Sequence, residues 1–126
     1  MAVIASIVVA LAALLHAYIF VLESVRWSRP STWRIFGVRS QEDADTLRPM
    51  AYNQGFYNLF LGLGSGLGLV LYWVGLTAAG AALVLFTTAC MVLAATVLVT
   101  TGRGYLRPAL IQGTLPLAGF VLFLFG

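Results

Sequence analysis

The chain has 126 residues, of which 61% are apolar and only 9% charged, against about 25% charged in a soluble globular domain. That composition excludes an ordinary water-soluble enzyme domain, a disordered chain and a disulfide scaffold, because the single cysteine, Cys90, can form neither an internal disulfide nor a thiolate metal site. The net charge of +3 comes from seven arginines against four acids, with no lysine. These arginines flank apolar runs, which argues for membrane orientation and against a nucleic-acid partner.

A spanning helix needs about 20 mostly apolar residues. Four runs qualify, at about residues 3–24, 50–74, 77–101 and 108–125, with an interfacial loop at about 25–49. None alternates as a barrel strand would. The prediction is therefore a single all-α domain over 1–126, a four-helix transmembrane bundle whose first partner is the lipid bilayer. Span one carries its positive charges after the apolar run and has no basic segment before it, so it reads as a retained anchor rather than a cleaved signal. Arg26, Arg29, Arg34, Arg39 and Arg48 follow span one, and Arg103 and Arg107 follow span three. The turn near Gly75 and both terminal segments carry no charged side chain. With four spans, both arginine-bearing loops fall on one side. The positive-inside rule makes that side cytoplasmic and puts both termini outside. The location expected is the inner membrane of a bacterium, as a multi-pass protein.

Within the loop, Trp27, Trp33 and Phe36 alternate with arginine, the pattern of a segment lying in the headgroup layer. Ser40, followed by Glu42 and Asp43, reads as a helix start with acids in its first turn. A short interfacial helix is expected before Pro49, which then opens or kinks span two. In span two, Gly62 with Gly66 and Gly64 with Gly68 make two small-residue pairs at four-residue spacing. Span three opens with Ala78, Ala79, Gly80, Ala81 and Ala82. Such residues serve close packing inside the bundle, in preference to a homodimer contact. Pro116 is expected to kink span four.

The polar residues share one end. His16 and Glu23 end span one, Asn53, Gln54, Tyr57 and Asn58 begin span two, and Gln112 begins span four, all toward the arginine-bearing side. At about 1.5 Å of rise per residue, His16 comes to the depth of Asn58 and Glu23 to that of Asn53. His16 and Glu23, seven apart, share a helix face. Polar groups in hydrocarbon need partners, so the economical arrangement turns all seven inward around one pocket open to the cytoplasm. There, His16 and Glu23 are candidate proton carriers, and Asn53, Gln54, Tyr57, Asn58 and Gln112 are candidate substrate-binding groups. One histidine without a second ligand makes neither a metal nor a haem site, and no phosphate-binding glycine loop is present, so no cofactor is expected.

Three stretches carry a resemblance: His16-Ala-Tyr18 with Glu23, Trp27 and Phe36-Gly37; Ala51 to Asn58 with Phe60-Leu61; and Gln112-Gly113 with Leu115-Pro116. In this order they resemble a family of small bacterial membrane proteins known only as a domain of unknown function. The resemblance implies four transmembrane helices and no activity. A looser similarity, of chemistry and architecture alone, is to membrane-embedded sterol isomerases of the emopamil-binding type, which also use His and Glu on a helical bundle.

Three functions follow as expectations. The first is an acid-base enzyme, carrying out hydration, hydrolysis or isomerisation on an amphipathic or lipid-like small molecule. The second is an accessory subunit docked on a partner in a membrane complex, or self-associated as a homo-oligomer. The third is a proton-coupled small-molecule transporter of fixed topology, since the seven-to-zero arginine bias opposes dual insertion.

Overall fold

A computed structural model describes all 126 residues, and every regular element is helical. Helix α1 (Ala2–Phe20) runs into a π-helical turn (Val21–Val25), followed by the short α2 (Pro30–Trp33). Then come α3 (Gln41–Trp73), α4 (Thr77–Thr100), a 3₁₀ turn (Arg103–Tyr105) and α5 (Leu106–Phe125). Four of these segments are long and apolar enough to cross a membrane: α1 with its π turn, α3, α4, and α5 with its 3₁₀ turn. The chain is a multi-pass membrane protein, and helices satisfy every spanning backbone group within their own segment.

The spans form a ring in which α3 packs between α1 and α4, and α5 closes the circle between α4 and α1. Buried positions step three or four residues along α1 and along α3 from Gly55. On α1 they are Ala5, Val9, Ala12, His16 and Ile19. On α3 they include Gly55, Asn58, Gly62, Ser65 and Gly68. The large apolar side chains, among them Leu14, Leu63, Leu67 and Phe86, point outward. Burying them against one another would gain nothing over lipid, so close backbone approach and interhelical hydrogen bonds hold such a bundle. Each of the four helix contacts has a glycine in it. A Cβ at Gly62 would stand 2.9 Å from the Ala13 carbonyl oxygen of α1, and one at Gly64 2.9 Å from Thr87 of α4. Gly68 and Gly80 bring the α3 and α4 backbones together, Gly113 meets Ala95, and Gly119 meets Val9. Gly66 meets nothing. Of the four glycines that form the two spaced pairs, Gly62, Gly64 and Gly68 therefore pack internally, on two different neighbours. Ser65 bonds Thr87 at 2.7 Å, and Trp73 Nε1 donates to Ser6 Oγ at 3.0 Å. Gly75, at φ +102°, takes the left-handed conformation that turns α3 into α4.

Two expectations are corrected. The helix begins where expected, with Ser40 Oγ accepting from the Asp43 N–H at 3.1 Å. It is not a separate interfacial helix, however, for α3 runs unbroken through Pro49 to Trp73. Proline costs its own N–H bond to the carbonyl four residues back, and the bonds on either side carry the helix past it. A Gln41–Asp45 side-chain bond of 2.9 Å further ties the first turn. The second correction concerns the loop tryptophans. Trp27 and Trp33 are only 6% and 4% exposed and pack on Ala44 and Ala51 of α3 rather than lying in the headgroup layer. Each indole finds an acceptor there: Trp27 Nε1 donates to the Ala44 carbonyl at 2.8 Å and Trp33 Nε1 to Gln41 Oε1 at 3.2 Å. The two small alanines leave room for the rings. The arginines around them stay exposed, so the loop is a folded cap with a charged outer surface. Pro116 lies buried within α5.

Candidate functional site

The site starts from a widened turn. The Arg26 N–H reaches back five residues to the Val21 carbonyl at 2.9 Å, which is the π-helical bond. Leu22 and Glu23 are both buried within this turn. Glu23 continues the buried α1 stripe of His16 and Ile19 and is 8% exposed. Its Oε1 accepts from Asn58 Nδ2 of α3 at 2.6 Å. No protein group bonds its Oε2. Beside it, Ser24 Oγ donates to the Tyr52 carbonyl at 2.8 Å. Gly55 permits this approach, because a Cβ there would overlap Ser24 Oγ and stand 3.1 Å from Glu23 Cβ.

Equal Cα depth paired Glu23 with Asn53, whereas the structure pairs it with Asn58. The reason is side-chain direction. Helical side chains lean toward their own N-terminus, and α1 and α3 run in opposite directions. The tips of Glu23 and Asn58 therefore meet at a level between their Cα atoms.

Glu23 lines a cleft of about 360 Å³ between the cap, α1, α3 and the ends of α4 and α5. Its other walls are mainly apolar and include Trp27, Phe36, Met50 and Leu98. A narrower apolar slot of about 140 Å³ adjoins it between α1 and α5, reaching Leu15, Ile111 and Gln112. Phe36, Leu98 and Pro108 line both and so divide them. On the outer side, a polar recess bearing Arg39, Asp43 and Thr46 shares Val38, Leu47 and Tyr105 with the cleft.

The seven candidates do not all meet in one pocket. Glu23 and Asn58 are bonded and buried, Gln54 stands exposed on the cleft wall, and the half-buried Gln112 lines the slot. His16 is 1% exposed and lies in the helix core, with Nδ1 against the carbonyl of Ala12 in its own helix at 2.9 Å. It lines neither the cleft nor the slot. Asn53 and Tyr57 face outward, Tyr57 being 56% exposed. The inward face of α3 is set by Ala51, Gly55, Asn58 and Gly62. With about 100° of turn per residue, Tyr57 cannot share that face with Asn58. Trp27, Phe36, Met50 and Leu98 were missed as site residues. Apolar residues in an apolar chain carry no signal of their own.

A ring of four apolar spans, with a buried carboxyl at one end held by an amide beside an apolar cleft, defines a multi-pass membrane protein. Residues 10–124 match the family described as "Protein of unknown function (DUF1304)", and the chain belongs to that family. No curated protein and no solved structure matches it.

Proposed function

We propose that the protein is a membrane-embedded acid-base catalyst for an amphipathic substrate, of isomerase type. Glu23 is its proton carrier, and Asn58 is the amide that fixes the carboxyl. The observation that carries this reading is the state of Glu23: buried, bonded through Oε1 to Asn58, and lining a largely apolar cleft with Oε2 unclaimed by protein. A carboxyl with one free oxygen suits a reaction in which the same group takes a proton from one carbon and returns it to another while the double bond moves between them. That reaction consumes no water and needs no cofactor. Hydrolysis calls for a second acid-base group at the cleft, and His16, the candidate for it, lies outside the lining.

The test is native mass spectrometry of the protein released from its membrane, comparing wild type with Glu23→Leu/Asn58→Leu. Replacing both partners of a buried hydrogen bond by apolar groups is close to neutral for stability, so the double variant keeps the fold. Wild type should carry a small molecule that the double variant lacks. A molecule retained equally by both would overturn the reading. A second reading, the accessory subunit, is favoured by outward-facing Asn53 and Tyr57 on α3, since polar side chains on a span's outer face pair with other helices. A protein partner retained with no small molecule would favour it.

In this reading the arginine-bearing end faces the cytoplasm of a bacterial inner membrane and both termini face outward, on the arginine bias. In a Cys90→Ser background, Ser28→Cys should react with an impermeant maleimide only in opened membranes, and Val74→Cys should react in intact cells. The reverse pattern would overturn the sidedness.

A further inference from the structure

We infer that the ligand is a single-chain membrane amphiphile with a hydrogen-bond-donating head at Glu23 and its chain past Phe36 in the slot between α1 and α5. This rests on the reading of Glu23 as the ligand-facing group and adds the chemical class and the route of access.

Three observations carry it. The first is continuity: the cleft and the slot share Phe36, Leu98 and Pro108, so one molecule that moves the Phe36 ring aside occupies both. The second is size. An apolar cavity of about 150 Å³ holds one benzene, so a slot of about 140 Å³ matches the volume of a stretch of a single chain. The third is charge and access. Seven arginines crowd this end of the bundle, yet the bonding partner of Glu23 is the Asn58 amide. A hydroxyl or amine head supplies the donor that Oε2 lacks, and a carboxylate head, acceptor-only, has no hydrogen to give. The slot wall includes Tyr18 and Ile111, which are 54% and 53% exposed on the lipid-facing surface. The ligand therefore enters sideways from the bilayer. Phe36, half-buried and tilted against Trp27 at 5.4 Å between ring centroids, is the residue that sets how far the chain reaches.

The experiment uses dodecanol, dodecylamine and dodecanoic acid, each with a diazirine at the chain end. They are added to the protein in phosphatidylcholine nanodiscs, photolysed, and mapped by mass spectrometry. The alcohol or the amine should label Leu15, Ile19 or Gln112 about tenfold over Leu67, which lies toward the opposite end of the bundle, and the acid should not. Ile111→Trp, a change at an exposed position that leaves the fold intact, should fill the slot and abolish that enrichment. Label confined to Met50 and Trp27 would overturn the chain placement while leaving Glu23 as the ligand contact. Equal labelling by the acid would overturn the head-group assignment. Label spread evenly over lipid-facing residues would remove both the inference and the reading beneath it.

Discussion

Gly80→Ala should destabilise the folded bundle by about 3 kcal/mol or more, at the top of the range for overpacked sites. The methyl group would fall on the backbone of Tyr72 and the carbonyl oxygen of Gly68. Neither is the end of a flexible side chain, so the rotamer changes that absorb most overpacking cannot help. Relief requires α3 and α4 to move apart, which also stretches the Ser65–Thr87 bond of 2.7 Å one or two turns along the same contact. The control is Gly66→Ala, where a Cβ meets nothing within 4 Å. There the change removes a poor helix former and should raise stability by a few tenths of a kcal/mol, up to about 1. Thermal unfolding of both variants in detergent, beside wild type, separates the two effects. Unchanged melting of Gly80→Ala would show that α3 and α4 do not meet backbone to backbone.

Much of the fold was legible because lipid simplifies the problem. Four apolar runs of spanning length have essentially one outcome once every backbone group must be satisfied within its own segment. Glycines at four-residue spacing marked close approach, although which helix each one meets depends on rotation about the helix axis. Gly62 turns to α1 and Gly64 to α4 for that reason. The cap was less legible. An aromatic ring beside arginine has the same sequence pattern whether it lies among headgroups or packs on the protein. Only the acceptors at Ala44 and Gln41 decide for Trp27 and Trp33. The site was half legible. Depth arithmetic gathered the polar residues at one end, where they are. It could not distinguish Asn58, which faces Glu23, from Tyr57 beside it, which faces outward. The seven-residue spacing from His16 put Glu23 on the inward face of α1, whereas the π turn around it was not read from the sequence.

Glu23→Gln carries the second large effect. Glutamine keeps an Oε1 that can accept from Asn58 Nδ2, so the 2.6 Å bond of the wild type has a close replacement and the bundle should melt as wild type does. What glutamine cannot do is take up and release a proton. General acid-base groups contribute about a hundredfold to ten-thousandfold to rate, so any proton transfer carried by Glu23 should fall at least about a hundredfold. His16→Ala should leave the transfer in place, because His16 is bonded to Ala12 within its own helix and lines neither the cleft nor the slot.

The most direct measurement lets the membrane supply the substrate. Wild type and Glu23→Gln are reconstituted into vesicles of native membrane lipid and incubated, and the extracted lipids are examined by ozonolysis and mass spectrometry for the position of carbon–carbon double bonds. The account predicts one amphiphile whose double bond moves with wild type and not with Glu23→Gln. An equal shift with both proteins, or none with wild type, would contradict it.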